Sequence, residues 1–110
     1  MDENRDIRYT NKYTISKLFP DESPVSALRR ELSLLTVQNY IETVKDLTYP
    51  ERSDMRVFGK VYNETDDVYI KIRVELLAQY GNHMIFVMSF HFAEMPFTQE
   101  MFIYRKQEVI

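Results

Sequence analysis

The sequence predicts an α+β protein, with two helices followed by a three- to four-stranded antiparallel sheet and the helices on one sheet face. Three observations carry that prediction. Apolar residues recur at helical spacing between Val25 and Leu47. From Met55 the hydrophobic period drops to two, the signature of half-buried strands. The stretch VYIKIRVELLAQYGNHMIFVMSFHF, residues 68–92, then reads as two long strands meeting near Gly81-Asn82.

Residues 1–20 alternate charge and polarity without a long period. They read as a candidate flexible arm, with Tyr13, Ile15, Leu18 and Phe19 able to dock on the core as a short strand or turn. The first helix starts at Ser23-Pro24, because serine suits the N-cap and proline suits the first helical position, where its missing N–H is not needed. Val25, Leu28, Leu32 and Leu35 form its inner stripe, with Arg29, Arg30 and Glu31 outward. A second helix is expected from an N-cap at Thr36, with Val37, Tyr40, Ile41, Val44 and Leu47 inward, ending at Tyr49-Pro50. The two segments are either a tight pair or one kinked helix, and a pair is the preferred reading.

In the first strand, Met55, Val57 and Val61 alternate with Arg56, Phe58 and Lys60, and Gly59 marks a bulge or a close approach. Residues 63–67 form a polar turn. Val68 to Leu77 is a strand by β-branching and alternation. His83 to Ala93 is nearly continuously apolar, which suits a central strand covered on both faces. Residues 95–110 form an aromatic-rich tail that packs on the chain's own core or covers a partner.

The whole chain of 110 residues is read as one domain. At 45% hydrophobic and 28% charged residues it has ordinary globular composition. The absence of cysteine removes disulfides, thiolate metal sites and a cysteine nucleophile. No signal peptide and no apolar run long enough for a membrane span are visible, so the expected location is cytoplasmic. The net charge of −3 is the opposite of a general phosphate-gripping surface, so any RNA contact has to rest on a local patch. Glycine-rich phosphate loops, a Rossmann fingerprint and a nucleophile elbow are missing. His83 and His91, eight positions apart on one strand, lie roughly 26 Å apart, too far to share a metal. No cofactor and no metal are assigned.

Two features of the hairpin bear on function. Tyr69, Lys71, Arg73 and Glu75 share one face of their strand, while Val68, Ile70, Ile72, Val74 and Leu76 share the face that meets the helices. The polar face is either simply solvated or the floor of a site. A site of Tyr, Lys, Arg and His side chains suits metal-free RNA cleavage, which needs a base, an acid and cations beside the phosphate. The register decides where His91 belongs. A two-residue Gly81-Asn82 turn pairs it with Ile72 on the aliphatic face. A three-residue loop centred on Tyr80 places it opposite Tyr69 on the polar face.

The segment Val68-Tyr69-Ile70-Lys71-Ile72, paired with a strand ending Ser89-Phe90-His91 and preceded by the turn Asp46-Leu47-Thr48, resembles the C-terminal half of the MqsR type of RelE-like bacterial toxins. The resemblance covers roughly residues 35–94. It implies an mRNA endonuclease with an antitoxin partner, a catalytic tyrosine at Tyr69, and His91 where the family carries a lysine. On this reading Tyr69, His91, Arg73 and Lys71 are catalytic candidates, and Arg56, Lys60 and Tyr62 are RNA-binding candidates. The competing expectation is a non-catalytic phage or mobile-element protein that binds a host protein. It would use its tail and an exposed Phe86, Met88, Phe90 and Phe92 stripe, which also suits a homodimer.

Overall fold

The structure is a computed structural model that describes residues 6–77 and 82–104. Two helices, α1 (Asn11–Leu18) and α2 (Pro24–Ser33), precede four strands. These are β1 (Tyr40–Val44), β2 (Met55–Tyr62), β3 (Asp66–Leu77) and β4 (Asn82–Phe92), paired as an antiparallel sheet in the order β1-β2-β3-β4. Short 3-10 turns stand at Ile7–Tyr9, Val37–Asn39 and Gln99–Met101. Among the described residues no helix is long and apolar enough to cross a membrane.

The α+β class and the helix-then-sheet order agree with the sequence prediction, but the helices are not the pair expected. Helix α2 begins as anticipated, with Ser23 as N-cap and Pro24 in the first position. The second helix expected after Thr36 is a single 3-10 turn followed by strand β1. Thr36 does cap that turn, accepting from the Gln38 N–H. The apparent stripe fails as a helix because its ends do not meet the core: Val37 is 65% and Leu47 88% exposed. Tyr40-Ile41-Glu42-Thr43-Val44 is β-branched and aromatic, and it pairs with the open edge of β2 instead. The missing helix is α1, within the segment read as a strand, turn or arm. Thr10 caps it by accepting from the Tyr13 N–H, and Ile15, Leu18 and Phe19 dock on the core as expected.

One sheet face carries the main core. Val68, Ile70, Ile72 and Phe90 are buried there under Ile15, with Leu18, Phe19, Leu28, Leu32 and Leu35 packed around them. Strand β4, expected as a central strand, is an edge strand of the sheet, and α1 covers the end of its outer edge. Asn11 Oδ1 accepts from Phe90 N at 2.9 Å, and Thr14 Oγ1 from Phe92 N at 2.8 Å. Edge N–H groups that would otherwise recruit another strand are thereby satisfied. Glu31, expected outward, is buried. It accepts from Tyr62 Oη at 2.8 Å and Arg30 Nε at 2.9 Å, and Lys60 Nζ lies 3.6 Å away. Burial opposes its ionisation, yet the hydrogen bonds from Arg30 and Tyr62 and the Lys60 charge hold its carboxyl below the usual range. The Tyr62 phenol is pushed well up by burial and by that carboxylate.

The opposite face has a second, smaller core of Ile41, Val57 and Phe102, flanked by Val44, Tyr69 and Phe97. Residues 105–110 of the expected tail lie outside the described residues. Within its described part, residues 95–104, Phe97 and Phe102 pack on the chain's own core, the first of the two alternatives. Gly59 makes this possible. A Cβ there would stand 2.8 Å from Phe97 Cε2 and 2.9 Å from Phe102 Cζ, so the predicted close approach is real.

Replacing Gly59 with alanine should force both rings outward and lower stability by about 1–3 kcal/mol. Equilibrium denaturation would measure that loss, and faster proteolysis within the tail would localise it. The β2–β3 turn holds Asn63 at φ 52° and Glu64 at φ 70°. Asparagine tolerates this left-handed region and glutamate does not, so Glu64→Gly should raise stability by about 1 kcal/mol. An unchanged or lowered unfolding midpoint would contradict that assignment of strain.

Candidate functional site

Strand pairing resolves the register question. Tyr69 lies opposite His91 and Lys71 opposite Ser89. The next pair is Ile72 with Val87, so a β-bulge at Met88 shifts the ladder by one residue. Nearer the turn, Leu77 pairs with Asn82, so Asn82 belongs to the strand and not to a two-residue turn with Gly81. Residues 78–81, where that turn was expected, lie outside the described residues. The bulge explains why the apolar run of β4 gives no single stripe. Phe90 is fully buried on the helix face with Phe92 beside it, whereas Phe86 and Met88 are each 39% exposed.

Tyr69 and His91 are stacked, with ring centroids 5.4 Å apart and planes 20° from parallel. They line a cavity of about 420 Å³ together with Lys71 and Ser89 from the sheet and Glu94, Phe97 and Met101 from the tail. The tail covers part of this face: His91 is buried, while Tyr69, Lys71 and Ser89 stay partly exposed. His91 is only 7% exposed, and its Nδ1 lies 3.0 Å from the Phe92 carbonyl. A carbonyl can only accept, so in this contact Nδ1 carries the hydrogen. Burial, reinforced by the negative charge of Glu42, raises the pKa of Tyr69, which keeps the phenol protonated and able to donate. Lys71 supplies positive charge in the same cavity. A phenol, an imidazole and a lysine are thus brought to one cavity.

Arg73 is not part of this group. It is 5% exposed, and its Nη1 donates to Asp46 Oδ2 at 2.8 Å, while its Nε stands 3.4 Å from Glu75. Asp46 in turn accepts from the Thr48 and Tyr49 N–H groups, which fixes the β1–β2 loop. Arg73 is therefore the anchor of that loop. Asp46 was passed over as a partner, although its position two and three residues before those N–H groups is a recognisable turn signal. The three RNA-binding candidates lie on the helix face of the sheet, since Arg56 pairs with Ile72 and Lys60 with Val68. Lys60 and Tyr62 are engaged with Glu31. Arg56 lines a different cavity, beside β1.

Comparison with protein-family models, with curated proteins and with solved structures finds no match for this chain.

The Asp46 carboxyl is held below the usual range, first by the Tyr49 N–H, then by Arg73 and the Thr48 N–H, against the opposing effect of burial. Its lowered folded-state pKa means that its contribution is complete above the ordinary carboxylate pKa and is lost as pH falls through the folded value. Asp46→Asn should therefore reduce stability at neutral pH, with the gap to the parent chain narrowing in acid. Thermal unfolding of both proteins across that range is the measurement. A gap that stays constant into strong acid would show that the Asp46 charge contributes nothing.

Proposed function

We propose that this chain is an MqsR/RelE-like, metal-independent endoribonuclease that cuts mRNA in the cytoplasm and is neutralised by an antitoxin protein. The single observation that carries this reading is the stacked Tyr69–His91 pair in one cavity with Lys71. The resemblance requires Tyr69 opposite His91, and that pairing arises through the bulge at Met88 and not from either turn read in the sequence.

The chemistry follows from the groups present. His91 Nε2 takes the proton of a ribose 2′-hydroxyl, and the 2′-oxygen forms a bond to phosphorus. The bond from phosphorus to the 5′-oxygen breaks, and the Tyr69 phenol donates its proton to that leaving oxygen. Lys71 offsets the charge that grows on the phosphate oxygens. The products are a 2′,3′-cyclic phosphate and a free 5′-hydroxyl, with atoms and charge balanced. The Phe92 carbonyl fixes the imidazole tautomer that this requires. Arg73, a catalytic candidate in the sequence, becomes a positioning residue through Asp46.

One observation favours a second reading. Beyond the bulge, β4 exposes Met84, Ile85, Phe86 and Met88, and a groove beside Ile85 continues to Val25 on α2. Aromatic and methionine side chains of this kind are enriched at protein interfaces. In this reading the chain is non-catalytic and binds a host protein there. Under the first reading the same surface is open to an antitoxin or to a second copy.

Controlled expression in a bacterial host, with RNA ends mapped, separates the two. The nuclease reading expects growth arrest and new 5′-hydroxyl ends. Tyr69→Phe and His91→Asn should each lower cleavage by about 100-fold or more while thermal unfolding stays near that of the parent chain. Intact RNA at high soluble expression would rule the nuclease out and leave the interface reading.

A further inference from the structure

A second cavity, of about 560 Å³, opens beside β1 on the helix face of the sheet and shares no residue with the Tyr69–His91 cavity. Tyr40, Phe58 and Tyr104 form three aromatic walls, and Arg56 lies at the same opening. The Tyr40 and Tyr104 ring centroids are 5.6 Å apart with planes at 46°, and those of Tyr40 and Phe58 are 5.9 Å apart at 76°. A bond between Tyr40 Oη and Thr43 Oγ1 fixes the central ring. Tyr104 is 42% exposed, so its ring is a wall of the cleft and not core packing. It is also the last described residue of the tail that roofs the first cavity.

Rings converging on an open cleft suit either a cation or a flat π-system. Arg56 decides between them. Its exposed guanidinium repels a cationic ligand, and among the described residues it forms no ion pair. A planar fork of N–H donors beside aromatic walls instead matches a base with its attached phosphate. The volume lies within the range that small-molecule sites occupy, about 300–1,000 Å³. We propose that this cleft binds one nucleotide, with the base against Tyr40 and Tyr104 and the phosphate at Arg56. Where that nucleotide belongs to a single-stranded RNA, the proposal rests on the nuclease reading; a free nucleotide does not depend on it.

The test is amide chemical-shift mapping of the full chain carrying Tyr69→Phe, titrated with adenosine monophosphate and with a short single-stranded RNA. Saturable shifts are expected around residues 36–43, 56–58 and 104, weakened about tenfold by Tyr104→Ala and by Arg56→Ala. Adenosine without phosphate should bind more weakly than the monophosphate in the parent chain and equally in Arg56→Ala. Shifts with the monophosphate alone would retain the site and assign it to a free nucleotide. Shifts confined to the Tyr69–His91 cavity, binding of choline in place of nucleotide, or no saturable shift would each overturn the proposal. RNA that binds here but is never cut by the parent chain would remove the nuclease reading and leave this site standing.

Discussion

The constraint on which the rest of this structure depends is that its sheet bears apolar side chains on both faces while the helices cover only one. The second face is covered in part by the tail, and this packing exists because Gly59 lets Phe97 and Phe102 approach the backbone of β2 to within contact distance. Everything on that face follows. The roofed cavity, the burial of His91 and the raised pKa of Tyr69 all require the tail to lie where it does. The same packing that builds this smaller core therefore also shapes the wall of the site.

The bulge at Met88 is the second organising device. It lets β4 serve two surfaces, keeping Phe90 and Val87 under the helices while setting Ser89 and His91 beside Lys71 and Tyr69. Without it, one half of the strand would present the wrong side chains, because a single-residue slip exchanges the faces. Arg73 and Asp46 act as a fixed strut at the far end of the same face, linking the β1–β2 loop to β3. A buried pair of this kind sets position more than it adds stability.

Much of this was legible in the sequence, and what was missed has physical causes. The switch from helical to strand period at Met55, the Ser23-Pro24 helix start and the close approach at Gly59 all rest on local chemistry and were read correctly. The segment 36–49 was misread because Val37, Tyr40, Ile41, Val44 and Leu47 satisfy a helical template, while the decisive fact was non-local, the vacant edge of β2. Helix α1 was missed because Asn11 and Thr14 serve it through β4, far away in the chain. The site was half legible. Alternation alone put Tyr69, Lys71 and Arg73 on one face, but no sequence pattern revealed that Asp46 would claim Arg73 or that the tail would form the roof.

The hydrogen bonds from α1 to β4 span separations of 79 and 78 residues, joining nearly the first described element to the last strand. During synthesis α1 precedes β4 and gains these bonds only once β4 has been made. Its apolar side, Ile15 and Leu18, stays wet throughout that interval. The helix-face core has all its residues once β4 is made, whereas the opposite face waits for Phe102. Both cavities take residues from the segment after β4, so each is completed only after the strands are. A nascent chain stalled before that point would carry the strands without the roof.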